Sequence, residues 1–140
     1  MYEFGDEQIL QGDIDKLWAV FTDFARFPDW DPREEMAEID GPFVPGATIR
    51  SKQKGNPGGT GKITRVESPN RWTGESPLPG GKLVIDHFLE PVRDGKVKVT
   101  KRYQVHGPLT LVFRLYFGPR VRKSISTTLT ALEREAQRRG

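Results

Sequence analysis

His87 and Lys101 are the two side chains whose types and spacing could do chemistry. They sit in a stretch, Lys82 to His106, that alternates with a period of two and so reads as a β-hairpin. On its first strand Leu83, Ile85, His87 and Leu89 share one face, and Val84, Asp86, Phe88 and Glu90 the other. On its second strand Val97, Val99, Lys101, Tyr103 and Val105 oppose a face of Lys96, Lys98, Thr100, Arg102 and Gln104. A two-residue turn at Asp94-Gly95 would set Leu89 opposite Thr100 and mix the faces. A three-residue loop, Arg93-Asp94-Gly95, sets Leu89 opposite Val99 and Ile85 opposite Tyr103, with glycine last as such loops favour. It also sets Glu90 opposite Lys98 and Asp86 opposite Arg102, two opposite-charge pairs on the outer face. In that register His87 faces Lys101 on the inner, apolar face.

A polar pair facing inward among Leu, Ile, Val and Tyr needs water, a partner or a ligand. A satisfied core histidine beside a lysine that snorkels to a rim is the structural alternative. No other motif competes with this pair. The loop GNPGGTGKI is not a phosphate loop: a Walker A motif ending at Gly61-Lys62 requires glycine at position 56 and Ser or Thr at 63, where the chain has Asn56 and Ile63. It reads as a hairpin loop. His87 and His106 have neither cysteine nor an HExxH spacing near them, and His106 points outward by parity, so no metal and no cofactor are expected. No serine stands in a GxSxG elbow.

The elements that must position the pair follow from the rest of the chain. Tyr2–Gln11 is an edge-like strand. Asp13 is a suitable N-cap for a helix of about ten residues, with Ile14, Leu17, Trp18, Phe21 and Phe24 on one face. The prolines of ARFPDWDPR stop it and leave a short second helix or turn, with Phe27 and Trp30 packed inward. Strand candidates follow at Glu35–Asp40, Thr48–Lys54, Gly61–Glu67, Arg71–Ser76, Lys82–Glu90 and Lys96–His106. Gly-Pro clusters separate most of them, and connections that short favour an antiparallel meander. Pro108 to Arg139 then carries apolar residues at helical spacing; about 30 residues make a rod of roughly 45 Å, enough to cover a curved sheet. Gly118-Pro119 interrupts it. Proline removes a hydrogen bond and clashes one turn back, so a kink or break is expected between Leu109–Phe117 and Arg120–Arg138.

The chain's 140 residues suit one domain spanning 1–140. It has no cysteine, and its N-terminus is neither a basic leader nor an apolar run, so a cytoplasmic setting without a membrane span is expected. Residues 1–47 carry 12 acidic and 3 basic side chains, and residues 48–140 carry 7 and 19. Such asymmetry fits either an anionic partner or the two sides of one solvated domain. The basic residues lie mainly on the polar side of the last helix without interleaved aromatics, which argues against nucleic acid. A homodimer is left open.

Three stretches, DKLWAVFTDFARFPDWDP, LVIDHFLEPVRDGKVKVTKRYQVHGP and FGPRVRKSISTTLTALEREA, resemble the polyketide cyclase/dehydrase branch of the START-like (SRPBCC) superfamily. The resemblance implies an α+β helix-grip fold: a curved antiparallel sheet wrapped around a long C-terminal helix, with two short helices after the first strand. It also implies a hydrophobic cavity between sheet and helix. The matching wall positions are Trp30, Ser51, Trp72, Ile85, His87, Leu89, Val99, Lys101, Tyr103, Phe113, Arg114, Tyr116 and Phe117. Members of this family bind lipids, sterols or plant hormones, or cyclise and dehydrate polyketides. The function it implies is binding of a small hydrophobic or aromatic molecule. The alternatives are a cyclase/dehydratase with His87 as base and Tyr103 or Lys101 as oxyanion donor, and a protein-interaction module using the basic helix face.

Overall fold

A computed structural model describes residues 1–55 and 58–139. Seven antiparallel strands form one sheet in the order β1-β7-β6-β5-β4-β3-β2. They are β1 (Tyr2–Gln11), β2 (Glu34–Ile39), β3 (Thr48–Gln53), β4 (Gly59–Glu67), β5 (Arg71–Leu78), β6 (Gly81–Arg93) and β7 (Lys96–His106). The meander expected from the short connections is present, and β1 lies at an edge. The tip of the β3–β4 loop, Asn56 and Pro57, lies outside the described residues.

Between β1 and β2 come α1 (Ile14–Phe21), a 3₁₀ turn (Phe24–Arg26) and α2 (Phe27–Trp30). The Asp13 carboxylate accepts from the Lys16 backbone N–H at 3.3 Å, the cap its position suggested. Helix α1 is shorter than expected, ending at Phe21; Phe24 belongs to the 3₁₀ turn and is buried there.

The β6–β7 hairpin has the expected register, including Ile85↔Tyr103, His87↔Lys101 and Leu89↔Val99. Its tip differs. Arg93 pairs with Lys96, so only Asp94 and Gly95 form the turn, and a bulge between Pro91 and Arg93 absorbs the extra residue. Gly95 takes the left-handed conformation, φ 71°. The outer face also corrects one pairing. Glu90 meets Lys98 at 3.3 Å, but Asp86 turns to β5, where Arg71 reaches it at 3.0 Å and the Thr73 hydroxyl donates to it. Arg102 pairs instead with Glu3 of β1, at 3.2 Å.

The C-terminal helical run is not broken at Gly118-Pro119. It is α3 (Thr110–Val112), a π-helical turn (Phe113–Phe117) and α4 (Gly118–Arg139). The Gly118 N–H bonds back five residues to the Phe113 carbonyl, a widened turn at the place where a proline ring would otherwise clash. Glycine is required beside it, because a Cβ at 118 would lie 2.5 Å from the Phe113 carbonyl oxygen and 2.9 Å from the Tyr2 ring. Hydrogen bonds then hold α4 to β1: Gln8 donates to Thr130 at 3.2 Å, and the Gln11 N–H to Glu133 at 2.6 Å.

One part of the core lies towards the hairpin tip. There Leu10, Leu17, Leu89, Val97, Val99, Ile125, Leu129 and Leu132 are buried together. A smaller cluster of Phe24, Phe27, Ala37 and Trp72 fills the β2 side. No helix among the described residues is long and apolar enough to cross a membrane.

Candidate functional site

Alternation along each strand sends every second side chain inward, and between the two packed regions those side chains do not meet. A cavity of about 430 Å³ remains between the sheet and the helical run. Phe24, Phe27, Trp30, Trp72, Ile85 and Phe113 supply much of its apolar wall. Its polar members include Asp31, Glu34, Ser51, His87, Lys101, Tyr103 and Thr128.

Of the residues expected in the wall, Trp30, Ser51, Trp72, Ile85, His87, Lys101, Tyr103, Phe113 and Phe117 line the cavity. Four do not. Leu89 and Val99 face the same side of the sheet but lie nearer the hairpin tip, where α1 and α4 fill the space; they are 1% and 0% exposed. Arg114 is exposed and Tyr116 is half-exposed, its ring capped by the Arg120 guanidinium at 4.2 Å. Phe113 and Phe117 face inward across the π turn, which leaves the intervening positions pointing outward. The aromatic side chains do not plug the cavity: Phe21, Trp30, Trp72 and Phe113 stand in its wall, and Trp18 is not part of it.

His87 is held tightly. Its cross-strand partner is Trp72, and the two rings stack at 3.7 Å, 9° from parallel. Phe21 meets the imidazole edge-on at 5.1 Å. Nδ1 lies 3.2 Å from the Trp72 carbonyl oxygen, which can only accept, so Nδ1 carries the proton and Nε2 carries the lone pair. Burial, and then the neighbouring Lys101 charge, push the imidazole well below its ordinary 6.5, against the pull of that carbonyl. His87 is therefore neutral at physiological pH.

Lys101 is 8% exposed. Burial pulls its ammonium down, but Tyr103, Asp31 and Glu34 together outweigh that, so it ends above its ordinary value and stays charged. Its Nζ lies 5.6 Å from the centre of the Tyr103 ring.

Two carboxyls near this cation were not anticipated. After α2 the chain turns at Asp31, whose carboxylate accepts from the Arg33 N–H at 2.9 Å and from the Thr128 hydroxyl of α4 at 3.0 Å. The Glu34 N–H donates to the Asp31 carbonyl at 3.1 Å. A bulge between Glu34 and Met36 then resets the phase of β2, pairing Glu34 with Gln53 and Ala37 with Ser51. That turns Glu34 inward, 6% exposed, with Oε1 lacking any hydrogen-bond partner among the described residues. Burial raises its pKa to about 7; Lys101 and the Gln53 side chain oppose the rise and Asp31 adds to it. The sequence signal was the Asp-Pro pair in DWDPREE, which marks a turn but does not say which way the next carboxylate points.

The family described as polyketide cyclase / dehydrase and lipid transport matches residues 3–137. The chain belongs to this family. Three solved structures share the fold of this polyketide cyclase / dehydrase family member. Norcoclaurine synthase from Thalictrum flavum, solved with dopamine and hydroxybenzaldehyde, superposes with a TM-score of 0.75 at 15% identity, over 99% of this chain and 88% of its own. A START superfamily protein from Mycobacterium smegmatis gives 0.74 at 12% identity, over the full length of both. The di-domain ARO/CYC BexL of the BE-7585A biosynthetic pathway gives 0.76 at 13% identity, over 95% of this chain and 47% of its own. At these identities the likeness is one of fold: the helix grip, a curled antiparallel sheet closed by a long C-terminal helix. No curated protein sequence matches the chain.

Proposed function

We propose that this polyketide cyclase / dehydrase family member binds a small hydrophobic or aromatic molecule in the cavity between the sheet and the C-terminal helix. The observation that carries this reading is the cavity itself. About 430 Å³ of space bounded by Phe, Trp and Ile, with a few buried polar groups among them, has the size and composition usual for a small-molecule site. Dense packing is the rule in protein interiors, and a space of that size bordered by aromatic rings is suited to an apolar ligand.

A thermal-shift screen of lipids, flavonoids and polyketide-like aromatics tests the proposal. A ligand present at a hundred times its Kd adds about 2.7 kcal/mol, several degrees for a domain of this length. The absence of any stabilisation at ligand concentrations far above plausible Kd values overturns it.

A second reading makes the same cavity catalytic, with His87 as base and Tyr103 or Lys101 polarising a carbonyl. Its support is that the three side chains share one wall. Against it stands the depressed basicity of His87. His87→Ala that abolishes turnover of a carbonyl substrate while preserving binding supports this role, and turnover that survives the change removes it.

A further inference from the structure

Above about pH 7, where the Glu34 carboxyl has lost its proton, two opposite charges share this cavity without touching. Glu34 on β2 and Lys101 on β7 belong to strands separated in the sheet by β3, β4, β5 and β6, and the curl of the sheet brings both to one wall. Each is more than nine-tenths buried. Glu34 Oε1 has no partner, and no carboxylate oxygen among the described residues comes within 4.0 Å of Lys101 Nζ. A buried ammonium and a buried carboxyl are costly apart, and a direct ion pair would relieve much of that cost. They do not form it. Asp31, one turn earlier, is tied to Thr128 of α4, and Lys101 sits in the paired centre of the sheet, flanked by β1 and β6.

A group that satisfies both ends must accept a hydrogen bond from the ammonium and donate one to the carboxylate. A hydroxyl does both through one oxygen. A carboxylate can only accept and would face Glu34 and Asp31; an ammonium can only donate and would face Lys101. His87, neutral and fixed against Trp72, adds no charge to either side. The indole rings of Trp30 and Trp72, also in the wall, offer flat apolar surface to the body of such a molecule.

We infer that the cavity recognises its ligand through a neutral hydroxyl that bridges Lys101 Nζ and the Glu34 carboxylate. This rests on the cavity-binding proposal and adds the chemical class of the ligand's polar end. Tyr103, beside Lys101, supports the donor side, and Asp31 with Thr128 holds the acceptor side in place.

The test is calorimetric titration of the full chain at about pH 8, where Glu34 is ionised, with four probes on one ring skeleton: naphthol, naphthoate, naphthylmethylammonium and methylnaphthalene. Naphthol binds at least about tenfold more tightly than each of the other three, the gain expected of one well-placed hydrogen bond to a charged group. Glu34→Gln removes one of the two carboxylates that oppose Lys101 and moves the preference towards naphthoate; Lys101→Met moves it towards naphthylmethylammonium. The wild-type ranking stands as a test even if either variant fails to fold. Equal affinity for naphthol and methylnaphthalene overturns the hydroxyl bridge and leaves the cavity reading intact. So does naphthoate or naphthylmethylammonium binding as tightly as naphthol, or both variants keeping the wild-type order. Failure of all four probes to bind overturns the cavity reading, and the bridge with it.

Discussion

The imidazole of His87 lies flat on the indole of Trp72, ring centroids 3.7 Å apart, while its Nδ1–H is directed at the Trp72 backbone carbonyl. Stack and hydrogen bond come from the same neighbour, so the ring is fixed in position and in tautomer. An imidazole held this way is a wall of the cavity and a hydrogen-bond acceptor through Nε2.

His87 therefore stays neutral through mildly acidic pH. Nitrogen and carbon shifts of its ring, followed by NMR, show the Nδ1–H tautomer at about pH 6, and a midpoint at the ordinary 6.5 contradicts the burial argument. Replacing the ring removes the stack with Trp72 and the edge contact with Phe21. His87→Ala costs roughly 2 kcal/mol in denaturant unfolding.

Glu34 and His87 impose opposite pH slopes on stability. In the folded chain Glu34 keeps its proton up to about 7, against 4.5 in the unfolded chain. Between those values the folded state binds more protons, so stability falls as pH rises, by about 3 kcal/mol over the interval. For His87 the sign reverses. Below 6.5 the unfolded imidazole takes a proton that the folded one refuses, so its contribution is present above that value and lost as pH falls. Glu34→Gln removes the first slope only. The variant gains stability over the wild type at about pH 8 relative to about pH 4.5, and a difference that does not change with pH refutes the assignment.

Gly118 admits the Tyr2 ring and the widened turn at the same point. A Cβ there meets backbone oxygen and an aromatic ring at once. Gly118→Ala lowers stability by about 1–3 kcal/mol, since one of the two neighbours must move. Urea midpoints compared with those of Ala136→Gly, a small-residue change elsewhere on α4, separate the clash from simple helix propensity.

The last turn of α4 is clamped through Glu135, which accepts from Arg138 at 2.6 and 2.7 Å and from Arg139 at 2.9 Å. Arg139 continues to Asp23, just beyond α1, at 3.1 Å. Hydrogen bonding by Arg138 leads the causes that hold the Glu135 carboxyl down at about 2. Its contribution is present above the ordinary 4.5 and lost as pH falls towards about 2. Glu135→Gln costs roughly 2 kcal/mol at neutral pH and much less near pH 2, read from thermal unfolding.

The residues themselves determined what depends on neighbours along the chain. Two apolar faces, a turn glycine and the pairing of Glu90 with Lys98 leave one hairpin register that keeps every inward position consistent, so His87 could be set opposite Lys101 from spacing alone. The cap at Asp13, the short connections and the trouble at Gly118-Pro119 are local in the same sense. Tertiary structure decided the rest. Leu83, Ile85 and Leu89 share one face of one strand, yet the first two border a cavity and the third is packed solid. The difference lies in where α1 and α4 cross the sheet, which no periodicity encodes. The resemblance to the helix-grip fold placed Ile85 and Leu89 on the same wall for the same reason. Glu34 is the sharper case. Strict alternation would put it on the face opposite Ala37, but one bulged residue reverses its phase and turns an acidic side chain into the cavity. A bulge forms where two strands of fixed register must also curve. Its position follows from the shape of the whole sheet, and so does the meeting of Glu34 with Lys101.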